Sequence, residues 1–392
     1  MSEIIENKII SNIIVSVLFF SLLISQSPLL LVIGIRGIHS LPITFFLIIF
    51  ILIFSKRKVK NFGIIFGIAS LLTASFSAIF WGEYKFIYLA FWLINAILLA
   101  AIATKYELTK FVEAATIFLI ILIFGAIIGF GLAFSGIKSL GAIDGEFGRI
   151  HLYYTTLTNS RLLNFIRPGG IYDEPGAFSY FICVVAYLRN ILNLEKSKTV
   201  YLLLGGLITF SIMHLFFIFL FFLSKPLEFK KLVNGLLLGS VLIFIIIILG
   251  ADIAFQGLLI DRIISFVNNF NENDRVIAFI NCIDLIKGNW WVFLFGIDPY
   301  CLFDIERCVS NFEMICCNPL EPITSSGIFI SWPYYVGISF LFLSIFFRKN
   351  NILIIGLVLL FFQRPGIYSP GYSLAFVLCA YLNFKNNFKF NL

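Results

Sequence analysis

The stretch TVYLLLGGLITFSIMHLFFIFLFFL, residues 199–223, decides how the chain is threaded. It carries no Lys, Arg, Asp or Glu. At about 20 residues per crossing of a bilayer, it is long for one helix and short for two. A single crossing puts segments 135–174 and 252–321 on opposite faces. A pair of short helices, turning near Ser211 to His214, puts both on the same face. The positive-inside rule favours the pair, because it gathers Lys56, Arg57, Lys58, Lys60, Lys225, Lys230 and Lys231 on one side.

The surrounding composition explains why a bilayer enters at all. Of 392 residues, 60% are hydrophobic and 12% charged, 48 are Phe, and the mean hydropathy is +1.01. Soluble domains run at about 45–50% apolar and about 25% charged. That excludes a cytosolic enzyme, a secreted disulfide scaffold and a disordered tail. The net charge of +7 sits in short clusters between apolar runs, where it orients spans rather than binding nucleic acid. The first run, 9–24, lacks a small-residue cleavage site and reads as a retained helix.

Working outward, apolar runs fall at 9–26, 38–55, 61–80, 86–103, 111–134, 175–192, 199–223, 232–251, 323–347, 351–362 and 371–384. The chain is therefore expected to be one all-α polytopic membrane bundle over 1–392, with about 11–12 transmembrane helices. Both termini are expected to be cytoplasmic. Two large extracytoplasmic loops follow, 135–174 and 252–321, the second containing an amphipathic helix within 261–287. Together they hold most of the acidic residues, so function is sought on that face.

In the first loop the informative run is Arg167-Pro168-Gly169-Gly170-Ile171-Tyr172-Asp173-Glu174-Pro175-Gly176-Ala177-Phe178. Pro175 suits the first position of a helix, where its missing N–H costs nothing. Asp173 and Glu174 then flank the N-cap. The plain reading is that they complement the helix dipole while Arg167 reaches lipid phosphates. The functional reading is that an Arg, a Tyr and two carboxylates converge where a span begins. Upstream, Arg149, His151, Tyr153, Tyr154 and Arg161 add cations suited to phosphate and rings suited to sugars or to an interfacial belt.

In the second loop, Arg275 precedes the apolar face of the expected surface helix. Four cysteines follow, Cys301, Cys308, Cys316 and Cys317, and one or two bridges are expected on an oxidising side. A zinc site on these thiols is the weaker idea, since no His lies nearby and the side is oxidising, and no acidic motif has metal-ligand spacing, so neither metal nor cofactor is expected. Near the C-terminus, Gln363-Arg364-Pro365-Gly366-Ile367-Tyr368 forms a short turn on the same face. Arg36, between the first two spans, is a further cation there.

The Arg-Pro-Gly-Gly-x-x-x-Glu-Pro pattern before a span, together with a polytopic frame carrying a central and a later outer loop, resembles the O-antigen polymerase family (Wzy-type). Leu207-Ile208-Thr209-Phe210-Ser211 resembles the Thr-x-Ser-Arg break of polymerases and O-antigen ligases, with Ile212 in place of the Arg. Arg275 resembles the family's Arg before its surface helix. Leu294-Phe295-Gly296-Ile297-Asp298 is similar to its apolar-Gly-x-Gly turn, with Asp at the last place. The resemblance implies a metal-independent glycosyltransferase of the bacterial inner membrane that polymerises undecaprenyl-diphosphate-linked oligosaccharide. Glu174 is the first choice for a base and Asp173 the second, with Arg167 completing the catalytic set. Arg275, Arg364, Arg161 and Arg36 would hold diphosphate, and Tyr172 and Tyr368 would line the sugar path. Membrane lipid and a chain-length regulator are the other partners implied, and nucleic acid is not. The runner-up is an O-antigen ligase, whose typical His is Cys317 here. A polysaccharide flippase is the third reading; it calls for polar residues within spans and paired repeat halves, neither of which is evident.

Overall fold

The computed structural model describes residues 2–25, 27–32, 37–54, 59–145, 148–153, 155–158, 160–162, 165–224, 274–297, 315, 317–347 and 352–387. The expected span 232–251, most of the second loop, Arg36 and Cys301, Cys308 and Cys316 lie outside these residues.

The described chain is predominantly helical: α1 (Ser2–Phe19, continued by a π turn, Phe20–Ile24), α2 (Leu29–Val32), α3 (Gly37–Phe54), α4 (Asn61–Trp81), α5 (Lys85–Ile102), α6 (Lys105–Phe134), α7 (Pro175–Ile191), α8 (Lys196–Gly205), α9 (Ile212–Leu223), α10 (Asp274–Gly288), α11 (Trp290–Phe295), α12 (Glu321–Ser326), α13 (Ile328–Phe347), α14 (Ile352–Gln363) and α15 (Pro370–Asn387). Three helices among the described residues are long and apolar enough to cross a membrane, over Asn61–Trp81, Lys105–Phe134 and Ile328–Phe346. Large side chains on their surfaces, such as Ile79, Phe124 and Phe346, stand exposed. Water would not tolerate so continuous an apolar exterior, so these helices support a membrane-associated protein.

Most helix limits follow the apolar runs within a few residues. The expected run 323–347 is interrupted by Gly327, which separates α12 from α13. The start of α6 is written in a capping box: Thr104 Oγ1 accepts from the Glu107 N–H, and the Glu107 carboxylate accepts from the Thr104 N–H at 2.9 Å. At 30 residues, α6 is about 45 Å long, so it outruns a hydrocarbon layer of about 30 Å. Its far end carries Gly125 and Gly129, a small-xxx-small face that lets a backbone approach. The occupant is the loop at Thr155 and Thr156, whose atoms fill the space a Cβ would need.

That loop belongs to a feature the helical reading did not contain. The described residues of segment 135–174 include a three-stranded antiparallel meander of β1 (Gly141–Gly145), β2 (Gly148–Tyr153) and β3 (Thr156–Thr158). A hairpin of β4 (Ser160–Leu162) and β5 (Phe165–Arg167) follows. A bridge between Leu157 and Gly170 ties the meander to the start of α7.

Residues 199–223 form the pair rather than a single crossing. A 3-10 turn, Gly206–Thr209, and Phe210 in the left-handed region (φ 49°) divide α8 from α9. His214 Nε2–H donates to the Leu203 carbonyl at 2.8 Å. Eleven residues of continuous helix would hold these groups about 16 Å apart, so the chain has turned back on itself. The ring of His214 also packs on Gly206.

Helix α7 is the centre of the bundle, with 15 of its 17 residues buried. Its far end is held by Arg189, which is wholly buried. The guanidinium donates to Thr116 Oγ1 at 2.9 Å, Thr199 Oγ1 at 3.1 Å and the Glu195 carbonyl at 3.0 Å, and pairs with Glu113 at 3.2 Å. One fork of donors therefore joins α6, α7 and α8. Replacing Arg189 by Met is expected to lower stability in detergent by at least about 2 kcal/mol, since hydrogen bonds to a charged group are worth about 1.5–3 kcal/mol each. Thermal unfolding followed by tryptophan fluorescence checks this, with the exposed Lys196→Ala as a near-neutral control.

Candidate functional site

The site is assembled at the end of the bundle where α7 begins. Pro175 opens the helix and Glu174 is its N-cap residue, as the local sequence predicts. Yet the Glu174 side chain does not cap the helix. Its carboxylate turns away to form an ion pair with Arg364 Nη2, from the turn after α14. Both side chains are mostly buried, at 12% exposure for Arg364 and 25% for Glu174. Arg364 also donates to the Tyr372 hydroxyl at 3.4 Å. Gly176 makes this approach possible: a Cβ there would lie 2.7 Å from Arg364 Nη2.

Asp173 lies beside the pair. Burial raises its pKa above the ordinary 3.8, with the Arg364 charge and a backbone hydrogen bond opposing it. Arg275, at the start of α10, reaches the neighbouring residue. With the Gln363 amide oxygen facing it, both terminal nitrogens of Arg275 donate to that oxygen, one at 2.9 Å. Arg275 and Arg364 are thus brought together through adjacent positions, although they lie 89 positions apart in sequence.

Arg167 is placed differently from the expectation. It is buried, with 9% exposure. Its Nε donates to the Thr209 carbonyl and its Nη2 to the Phe210 carbonyl, each at 3.3 Å. Those carbonyls sit at the α8–α9 break, where the helical pattern of bonds is lost. Inside a bundle such groups need a partner, and the guanidinium supplies it. Ile212 stands where the resemblance calls for Arg, and the cation at this break comes from residue 167.

The two expected sugar-path tyrosines are structural in their contacts. Tyr172 is fully buried, its ring stacked on Phe181 at 4.8 Å. Tyr368 shares a hydrogen bond with Ser326 and donates to the Pro322 carbonyl at 3.2 Å, joining the turn after α14 to α12. Arg161 lies on β4 opposite Ile166. The expected bridge partners of Cys317, namely Cys301, Cys308 and Cys316, lie outside the described residues. The Cys317 N–H donates to the Glu321 carboxylate, and the buried Asn318 beside it donates to the Ile315 carbonyl at 2.7 Å. Among the described residues no group of three or more His, Cys, Asp or Glu is placed to hold a metal ion.

Sequence reasoning missed Gln363 and Tyr372. The Gln363-Arg364 adjacency was visible, but nothing local said that the amide would meet Arg275. Comparison with protein-family models, curated proteins and solved structures finds no match for this chain.

Two outcomes test this geometry. A double-mutant cycle between Glu174→Gln and Arg364→Met is expected to give a coupling within about 0.5–3 kcal/mol, read from thermal unfolding of the four proteins. Asp173 gives a pH signature. A carboxyl whose folded pKa is raised binds its proton more tightly when folded. Its contribution is therefore fully present below the unfolded value of 3.8 and is lost as pH rises through the folded value. Asp173→Asn is expected to melt above wild type at neutral pH, with the gap closing as pH falls towards 4, measured by melting temperature against pH.

Proposed function

We propose that the protein is a polytopic inner-membrane glycosyltransferase joining undecaprenyl-diphosphate-linked oligosaccharide repeat units, an O-antigen polymerase. The observation that carries this reading is the meeting of Asp173, Glu174, Arg364 and, through Gln363, Arg275 at one end of the bundle. In this reading that end faces the extracytoplasmic side and both termini are cytoplasmic. About 11–12 helices then span the membrane, with 135–174 and 252–321 as the outer loops.

The chemistry asks for two things. A sugar hydroxyl of the acceptor attacks the anomeric carbon of the donor chain. The bond from that carbon to the diphosphate oxygen breaks, and the electron pair leaves on undecaprenyl diphosphate. Negative charge grows on the leaving group, so fixed guanidinium groups stabilise the transition state. Arg364 and Arg275 fill that role. The incoming diphosphate competes with Glu174 for Arg364 and frees the carboxylate to orient the acceptor hydroxyl.

In this reading Asp173, beside the ion pair, accepts the proton of the acceptor hydroxyl; burial shifts its pKa upwards from 3.8, with the Arg364 charge opposing. Arg167 acts one step away, by holding the α8–α9 break. No metal is required for this sequence of steps.

The test is made in cells and with purified protein. Asp173→Asn, Glu174→Ala and Arg364→Ala, compared with wild type at matched amounts of protein in the membrane, are expected to leave single-repeat glycan in place of polymer. A purified wild-type protein should elongate a lipid-linked repeat unit, with the Asp173 variant at least about 100-fold slower. Full-length polymer from all three variants would refute the assignment. Bare lipid A core with accumulated lipid-linked polymer would instead identify a ligase, and repeats trapped inside the cell a flippase.

A further inference from the structure

A second feature opens on α10, away from the paired charges. A cleft of about 810 Å³ lies where the end of α4 meets α10 and α11. Its walls include Phe80, Trp81, Asn281, Asp284, Asn289 and Trp291. The volume falls in the range of about 300–1,000 Å³ typical of small-ligand sites.

The aromatic wall is fixed in place. The Trp81 indole N–H donates to the Phe295 carbonyl at 3.0 Å. The Phe80 ring lies flat on Phe295, at 3.8 Å between centroids and 6° between planes. Trp291 stacks 5.5 Å from Phe80, and Trp290 lies 4.0 Å from Trp291. Behind them, Ile297 N–H donates to the Thr324 carbonyl. Gly296, at φ +79°, has no room for a Cβ against the Ser325 backbone. The aromatic faces are therefore presented by a rigid joint between helices.

The polar wall combines one carboxylate with amides. Asp284 is exposed and forms no ion pair among the described residues. Asn281 stands on the same helix, one turn before it. A carboxylate accepts several hydroxyl donors at once, and an amide both donates and accepts. Flat aromatic faces beside such groups match a sugar ring, which offers C–H bonds on its faces and hydroxyls around its edge. An interfacial belt would also be rich in Trp, but a lipid tail gives Asp284 nothing and a lipid phosphate repels it.

The position also fits. Asn281 and Asp284 follow Arg275 by six and nine residues on one helix, roughly 9–14 Å along its axis. A ligand with an anionic head at Arg275 and Arg364 can extend its uncharged portion along α10 to this cleft.

We propose that the cleft is a saccharide subsite, in which Trp81 and Trp291 stack on a sugar of the glycan chain and Asp284 and Asn281 bind its hydroxyls. The proposal rests on the glycosyltransferase reading and names where that enzyme holds its carbohydrate.

Two of the protein's five tryptophans line the cleft and a third stacks on Trp291, so intrinsic fluorescence reports on it. The full-length protein in nanodiscs is titrated with phosphate-free oligosaccharide, released by mild acid from the producing cell's own lipid-linked repeat units. Saturable quenching is expected in wild type. Asp284→Asn, at an exposed position that leaves the fold intact, should weaken it at least tenfold, and Trp291→Leu should remove most of the signal change. Equal affinity in wild type and Asp284→Asn, or no saturable change, overturns the subsite. Nanodiscs of tail-brominated phosphatidylcholine provide the second arm: strong quenching of the cleft tryptophans there, with no response to sugar, makes the cleft a lipid groove and overturns it as well. Elongation of lipid-linked repeats by the wild type is assayed separately. Sugar binding without elongation sinks the polymerase reading and leaves the subsite standing; elongation with an Asp284→Asn affinity unchanged does the reverse.

Discussion

A guanidinium stands at each end of the buried helix α7, and the rest of the architecture is organised around that arrangement. At the far end Arg189 is sealed from solvent and joins α6, α7 and α8 through Thr116, Thr199, Glu113 and the Glu195 carbonyl. At the near end Arg364 arrives from α14 and takes the Glu174 carboxylate. A charge in such surroundings is tolerated only when every donor finds an acceptor. Each Arg therefore dictates which helices must lie next to α7. The remaining apolar contacts, worth little in choosing between helix partners surrounded by lipid, fill in around those two fixed points.

The same rule explains the α8–α9 pair. A helix broken within the bundle leaves carbonyls that neither lipid nor water satisfies. Arg167 occupies the Thr209 and Phe210 carbonyls, and His214 takes that of Leu203. The turn survives without Gly or Pro at its apex because side chains from other segments close the hydrogen-bond account. Its consequence is topological: Lys196 and Ser224, the outer ends of the pair, return to one end of the bundle. The opposite end is left to segment 135–174, α10–α12 and the turn at 364–369. At the first end Lys198 pairs with Glu113 of α6 and with Glu195.

Segregation of the two ends is what brings the scattered motifs of the candidate site together. Asp173 and Glu174 come from the first loop, Arg364 from the last turn and Arg275 from the second loop. The β meander, packed on the overhanging end of α6, closes the loop back onto Gly170 and so presents Asp173 and Glu174 towards Arg364. The aromatic cleft on α10 is a neighbour of this centre rather than part of it, connected by one rigid helix.

Hydrophobic runs and Pro175 at a helix start were legible in the sequence, because each depends on neighbours within a turn or two or on partition into lipid. The convergence of carboxylates and arginines was legible only as a shared face. Which Arg meets Glu174, that Arg167 serves main-chain carbonyls, that Tyr172 is packed away, and that Gln363 receives Arg275 were not. Those are contacts between residues up to 190 positions apart, and their choice follows from desolvation: a buried charge must find its partner wherever the folded chain brings one. Local pattern determined the helices and their ends; the tertiary structure decided the pairings, because only it knows which polar groups have lost water.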